Sequence, residues 1–281
     1  MAAGDTNPDI RGMSYNSARD ELFLADFDNR VVRAMRVRDI AGDLRDVYRA
    51  SHDTSPYVWS VCHMSDSDTL LVCSYEEGRK PGHWLVAVSR NGSEWREAQR
   101  VQTDGGLISC ALSDSRVLIG DGGVLIGDDV YAVGTTYMEL FRVESGPRIA
   151  RVHRIHVPEE YESFSATCGS DTLVAMSYPN SDNSVRVHRL RGDRLEELAR
   201  ILLKQPRFLL WLADRLLVTE YDREKQSHAV IELEVSDTRL ERRRELIATS
   251  ENIRVYRLCA VNDGVAIFDL KSRDILHYSF A

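Results

Sequence analysis

The feature that most constrains this chain is an internal repeat. The segment Cys62-His63-Met64-Ser65-Asp66-Ser67-Asp68-Thr69-Leu70-Leu71-Val72-Cys73-Ser74-Tyr75 aligns with Cys168-Gly169-Ser170-Asp171-Thr172-Leu173-Val174-Ala175-Met176-Ser177-Tyr178 across one three-residue gap. A unit that recurs in this way cannot bury its apolar side alone, so its copies must pack on one another. Aligning the pair exposes four further copies. Each carries an apolar run that closes on a polar residue: Leu22 to Asp26, Leu70 to Ser74, Val117 to Asp121, Leu173 to Ser177, Leu216 to Glu220 and Val265 to Asp269.

A second run with period-two alternation follows each, at Val31 to Val37, Trp84 to Ser89, Met138 to Val143, Val185 to Leu190, Ala229 to Val235 and Ile275 to Phe280. That period places alternate side chains on opposite faces of a strand. Turn residues come next, including Asn91-Gly92 and Gly192-Asp193, which supply positive φ or local side-chain bonds. A more polar, Arg-bearing run closes the unit, as in Leu44 to Ala50, Trp95 to Val101 and Ile149 to Val157. Leu195 to Leu203 and Leu240 to Ile247 fit a helical stripe as well, but their place in the repeat assigns them to strands.

The expectation is therefore an all-β chain, a six-bladed β-propeller of four-stranded antiparallel blades in a single domain spanning residues 1–281. The blades fall at about 9–51, 57–102, 106–157, 163–204, 207–248 and 254–281. The last unit stops after its third strand, so that blade is either short or completed by the N-terminal segment. An open β-solenoid is the weaker alternative.

Composition narrows the setting. The net charge of −8 repels phosphate backbones, which disfavours nucleic acid as a partner. The acid is uneven: the first 150 residues carry 16 Lys/Arg against 23 Asp/Glu, and the rest carry 20 against 21, which leaves room for a local basic strip. The first eight residues lack the charge and apolar run of a signal peptide, and no apolar stretch approaches the ~20 residues of a membrane helix. Five cysteines without an export signal point to free thiols in a cytoplasmic protein, and the expected state is a monomer. Cys62, Cys110, Cys168 and Cys259 occupy equivalent first-strand positions where the fifth unit has Leu212, which marks a small apolar core position.

Leu22-Phe23-Leu24-Ala25-Asp26-Phe27-Asp28-Asn29-Arg30-Val31 resembles an NHL repeat, and the whole chain is similar to NHL- and WD40-like propellers. The resemblance implies a rigid disc that holds a partner protein, RNA or a small molecule. It also implies the alternative of a lactonase or lyase with a metal at the central tunnel.

The candidate site residues are those at the second-strand ends. Asp26, Asp121, Glu220 and Asp269 are carboxylates at equivalent positions, with Ser74 and Ser177 completing the set. Converging carboxylates suit a hard cation such as calcium. The plain alternative is that each acid bonds its own turn. The next residues include Tyr75, Tyr178 and Tyr221, with Phe27, and exposed rings there suit a protein or peptide partner. The preferred expectation is a non-enzymatic interaction or ligand-recognition scaffold. A metal-dependent hydrolase, lactonase or lyase built on the four acids is the alternative. The near copy Val124-Leu125-Ile126-Gly127-Asp128 after Val117 to Asp121 predicts an extra hairpin or loop across residues 117–134.

Overall fold

The computed structural model describes residues 8–39, 44–49, 56–76, 82–103, 107–112, 116–120, 137–144, 148–156, 165–168, 172–179, 181–212, 214–236, 239–248 and 254–280. Asp121 and most of the 117–134 segment lie outside them. Strands dominate, and among the described residues there is no α-helix.

The first sheet runs β1 (Ile10–Asn16), β2 (Glu21–Asp26), β3 (Val31–Arg36) and β4 (Arg45–Arg49) in chain order. The next runs β5 (Tyr57–Met64), β6 (Thr69–Glu76), β7 (Gly82–Asn91) and β8 (Glu94–Thr103). β9 (Leu107–Leu112), β10 (Arg116–Gly120), β11 (Tyr137–Glu144) and β12 (Arg148–His156) share an eight-stranded sheet with β13 (Ser165–Cys168), β14 (Leu173–Tyr178), β15 (Ser184–Arg191) and β16 (Arg194–Leu202). Among the described residues, the two halves of that sheet meet through a parallel pairing of β12 with β16 at His156 and Arg194. A further sheet runs β17 (Pro206–Leu212), β18 (Arg215–Asp222), β19 (Ser227–Ser236) and β20 (Arg239–Ala248). The last has three strands: β21 (Val255–Val261), β22 (Gly264–Asp269) and β23 (Ile275–Ser279).

The two segments with an ambiguous stripe, within β16 and β20, are strands. Their leucines reach apolar clusters: Leu195 and Leu198 pack on buried neighbours, and Leu240 is itself buried. Gly92 and Gly192, at φ +65° and +62°, close two of the hairpins. Left-handed backbone there matches the strand twist, which is why the sequence places glycine in both turns.

The described residues fall into two compact units. One lies within Met1–Ile108, Arg142–Ala150 and Arg257–Ala281, the other within Ser109–Phe141 and Arg151–Tyr256. In the first, Phe23, Val32, Val58, Val72 and Val86 share one buried cluster that joins the first two sheets. In the second, Ala175, Val185 and Val187 pack against Leu216, Val218 and Ile231. Each buried Val, Leu, Ile or Phe among them contributes about 1.5–3 kcal/mol over its exposed state. Within the first unit, residues 8–11 are fastened to the last sheet. Arg257 Nε donates to the Arg11 carbonyl, and Arg273 Nη1 lies 3.4 Å from the Pro8 carbonyl and from Asp9 Oδ1.

Two kinds of β-bulge recur. Entry strands shift register between Ile10 and Gly12, Val58 and Ser60, and Pro206 and Leu209. In each case the shift sits beside the residue opposite Asp26, Ser74 or Glu220. Outer strands carry an extra residue at Val47, Ala98, Leu198, Arg243 and Leu246. An extra residue bends the strand and re-aims its neighbours.

Gly12 shows how tightly the first two sheets meet. A Cβ there would lie 2.7 Å from Ser60 Cα and 3.0 Å from Val61 N, both backbone atoms that cannot yield separately. Gly12→Ala should therefore cost about 1–3 kcal/mol of unfolding free energy in a urea titration, with an unchanged circular dichroism spectrum.

Candidate functional site

Of the acids at the second-strand ends, Asp26 and Asp269 bond into their own turns. Asp26 is fully buried. Its Oδ1 accepts from the Asp9 and Asn29 amides at 3.3 Å each, and its Oδ2 accepts from Asn29 Nδ2 at 2.9 Å. The Arg33 guanidinium adds an ion pair at 3.4 Å. Asp269 repeats the pattern, taking the Lys271 amide at 3.1 Å, the Ser272 amide at 3.2 Å and the Ser272 hydroxyl at 2.8 Å. Glu220 accepts from the Lys204 amide at 2.6 Å and meets Arg242 at 3.4 Å. Ser177 donates to the Arg207 carbonyl at 2.6 Å. A buried carboxylate survives only with such partners, because desolvation of the charge otherwise exceeds any gain. Among the described residues, no three of His, Cys, Asp or Glu are grouped so as to hold a metal ion.

The rings beside these acids divide into two sets. Tyr178 is 1% exposed and belongs to the core of its sheet. Its hydroxyl lies 3.3 Å from His188 Nε2, and the Arg186 guanidinium sits 4.8 Å from its ring. It is therefore not presented to a partner, which corrects the expectation for this residue. Tyr75 and Tyr221 are half-buried. Register pairs Tyr75 with His83 and Tyr221 with His228 across adjacent strands, with ring centroids 4.9 and 4.7 Å apart. Phe27 stacks on Tyr57 at 4.5 Å and meets Trp59 edge-on at 4.8 Å. Arg30 lies 4.1 Å from the Tyr57 ring.

The histidine partners were not legible as a pattern. His83 and His228 occupy the same register, opposite the residue that follows the closing polar one, and aligning the repeats on that residue reveals them. The run Arg242-Arg243-Arg244 on β20 is not merely solvated. The bulge at Arg243 lets two successive side chains reach buried Glu232 on β19, at 3.6 Å from Arg243 and 2.9 Å from Arg244. Cys62 and Cys259 are buried, and burial pushes both thiols up to about 12, so they serve as core rather than as nucleophiles. Cys110 and Cys168 lie on β9 and β13.

No protein-family profile matches the chain, and no curated protein matches it by sequence. Solved structures do. A chain of a mitotic checkpoint complex is similar with a TM-score of 0.63 at 11% identity, covering 100% of this chain and 90% of that one. A protein of unknown function from Bacteroides thetaiotaomicron gives 0.64 at 14% identity, covering 99% and 70%. A candidate 6-phosphogluconolactonase from Bacteroides uniformis gives 0.64 at 9% identity, covering 99% and 83%. At these identities the likeness shows the fold alone, and it fits an all-β, propeller-like arrangement.

Two measurements probe the interior of these strand ends. Asp26→Ala would leave the Asp9 and Asn29 amides without their acceptor and take one of two carboxylate partners from Arg33, which also meets Asp46 at 3.4 Å. It should cost about 3–5 kcal/mol in chemical denaturation, with Asp26→Asn intermediate. His188 is pushed down to about 4 by burial and then by the Arg186 charge. Its folded value lies below its unfolded one, so the unfolded chain takes up the proton first. Stability should fall by about 3 kcal/mol as pH drops from 6.5 to 4 and change little further below, and His188→Gln should flatten that slope.

Proposed function

We propose that the chain is a single-domain, monomeric, six-bladed β-propeller of the cytoplasm that recognises a protein or peptide partner without catalysing a reaction. Its ring closes through the contacts of residues 8–11 with the last, three-stranded blade. The observation that carries this reading is the division of labour at the second-strand ends. Asp26 and Asp269 spend their oxygens on internal turns, while Phe27, Tyr75 and Tyr221, each directly after the closing polar residue of its own unit, and Tyr57 remain half-buried. Rings held by a stacked or cationic neighbour lose little freedom on binding and make effective anchors. The free, buried thiols suit a reducing compartment. No helix among the described residues is long and apolar enough to cross a membrane.

A hydrolase, lactonase or lyase working through calcium on Asp26, Asp121, Glu220 and Asp269 would need carboxylates with lone pairs turned toward a shared centre. The turn bonds of Asp26 and Asp269 weigh against it.

The test is a phage-displayed peptide library panned on the intact protein, with and without a calcium chelator. Peptides should be enriched equally in both arms. Tyr75→Ala combined with Tyr221→Ala should weaken the selected peptides about tenfold or more. Absence of enrichment, or enrichment that vanishes with the chelator, would overturn the reading.

A further inference from the structure

The β17–β20 sheet repeats a device of the first sheet and omits one part of it. Register places Ile10 opposite Asp26 and Pro206 opposite Glu220. Counting from those pairs, Asp9 corresponds to Gln205, Arg11 to Arg207, and Phe27 to Tyr221. In the first sheet the Arg11 guanidinium lies 5.1 Å from the Phe27 ring centroid and is closed by Asp9 at 2.6 Å. In the other, Arg207 lies 5.2 Å from the Tyr221 centroid, but an amide stands in place of the acid. Gln205 Oε1 is buried and accepts no hydrogen bond, so it does not reach Arg207.

The surroundings of Arg207 make that omission expensive. The residue is half-buried, and burial, then Arg254, and further on Arg223, all disfavour its charge. Nearby acids are engaged elsewhere: Asp222 holds Lys204 at 2.6 Å, and Glu220 meets Arg242 at 3.4 Å. Among the described residues, no carboxylate lies within ion-pair distance of Arg207 or Arg223. The contrast is general. Arg11, Arg33, Arg90, Arg100 and Arg186 are also largely buried, and each meets a carboxylate at 3.4 Å or less. A partly desolvated guanidinium without a counter-ion, facing further positive charge, is relieved by an incoming anion.

We propose that Arg207 and Arg223, backed by the Tyr221 ring, form an oxyanion site that takes a carboxylate or phosphate group of the peptide partner. This rests on the peptide-recognition reading and makes the partner an acidic segment. A guanidinium fork matches both oxyanions in a bidentate fashion. The site lies in the half of the chain whose charges nearly balance, so an acidic ligand is not repelled there as it would be by the protein as a whole.

The decisive variant is Gln205→Asp. It restores the acid that closes Arg11 in the first sheet, and φ of +40° at this position suits Asp. The peptide selected by display is resynthesised with its acidic position as glutamate, phosphoserine or serine and followed by fluorescence anisotropy. The wild-type protein should bind the glutamate and phosphoserine forms about tenfold more tightly than the serine form, and the ratio of the first two tells which oxyanion is preferred. Gln205→Asp and Arg223→Gln should each remove that preference, while Gln205→Asp melts no lower than wild type. Equal binding of all three forms, or a preference unchanged in Gln205→Asp, overturns the oxyanion site and leaves peptide recognition standing. Tighter binding of a labelled single-stranded RNA than of the phosphoserine peptide overturns the peptide assignment. If no peptide is selected, a thermal shift with inorganic phosphate decides the site alone. A shift lost in Gln205→Asp sustains it, and an equal shift in both proteins overturns it.

Discussion

The rest of the structure depends on a carboxylate placed where water cannot reach it. Asp26 is satisfied by the residue entering the sheet, by the turn that follows, and by an arginine on the next strand. Three separate pieces of chain are thereby fixed to one side chain. The requirement is demanding because a buried charge left partly bonded destabilises more than an apolar substitute would. It also sets spacing: the acceptor and its turn donor lie three residues apart in Asp26–Asn29 and again in Asp269–Ser272. Once the turn is fixed, the direction of the following residue is fixed too. That is why Phe27 can hold a defined position at the end of an otherwise apolar strand.

A second layer of charge supports the outer strands. Glu21, Glu139 and Glu232 are buried acids, and arginines of the fourth strands reach them: Arg45 on β4, Arg151 on β12 at 3.0 Å and Arg244 on β20 at 2.9 Å. The abundance of arginine on the fourth strands is thus partly structural. Long apolar stems cross the sheet edge while the planar heads meet acids within. This accounts for the basic run on β20 without any need for nucleic acid.

The fold was legible wherever the repeat kept its period. The second and third strands of each unit were readable to within about two residues, because alternation and apolar runs mark them directly. Bulges were not readable, since one extra residue leaves no compositional trace yet reverses which side chain faces inward. Tyr75 and Tyr178 show the limit for the site. Both follow a serine at the end of a second strand, and one is half-buried while the other is sealed against His188 and Arg186. Identical local sequence cannot separate them, because the deciding neighbours come from other strands. Asp26 and Asp269 do end their strands, while their inward bonding depended on turn geometry that the residue types alone do not give. Arg207 was hidden by averaging, because charge counts over half a chain conceal one unmatched guanidinium. Aligning Gln205 with Asp9 would have found it.

The outer bulges have one more consequence. A free sheet edge normally offers its row of amides and carbonyls to a passing strand. On β4, β8 and β20 that row is broken by the extra residues at Val47, Ala98, Arg243 and Leu246. An extended peptide laid along such an edge would lose register after a few residues. Strand addition along these three edges is thereby disfavoured, for foreign peptides and for copies of the chain alike. Whatever docks there does so through side chains, one anchor at a time.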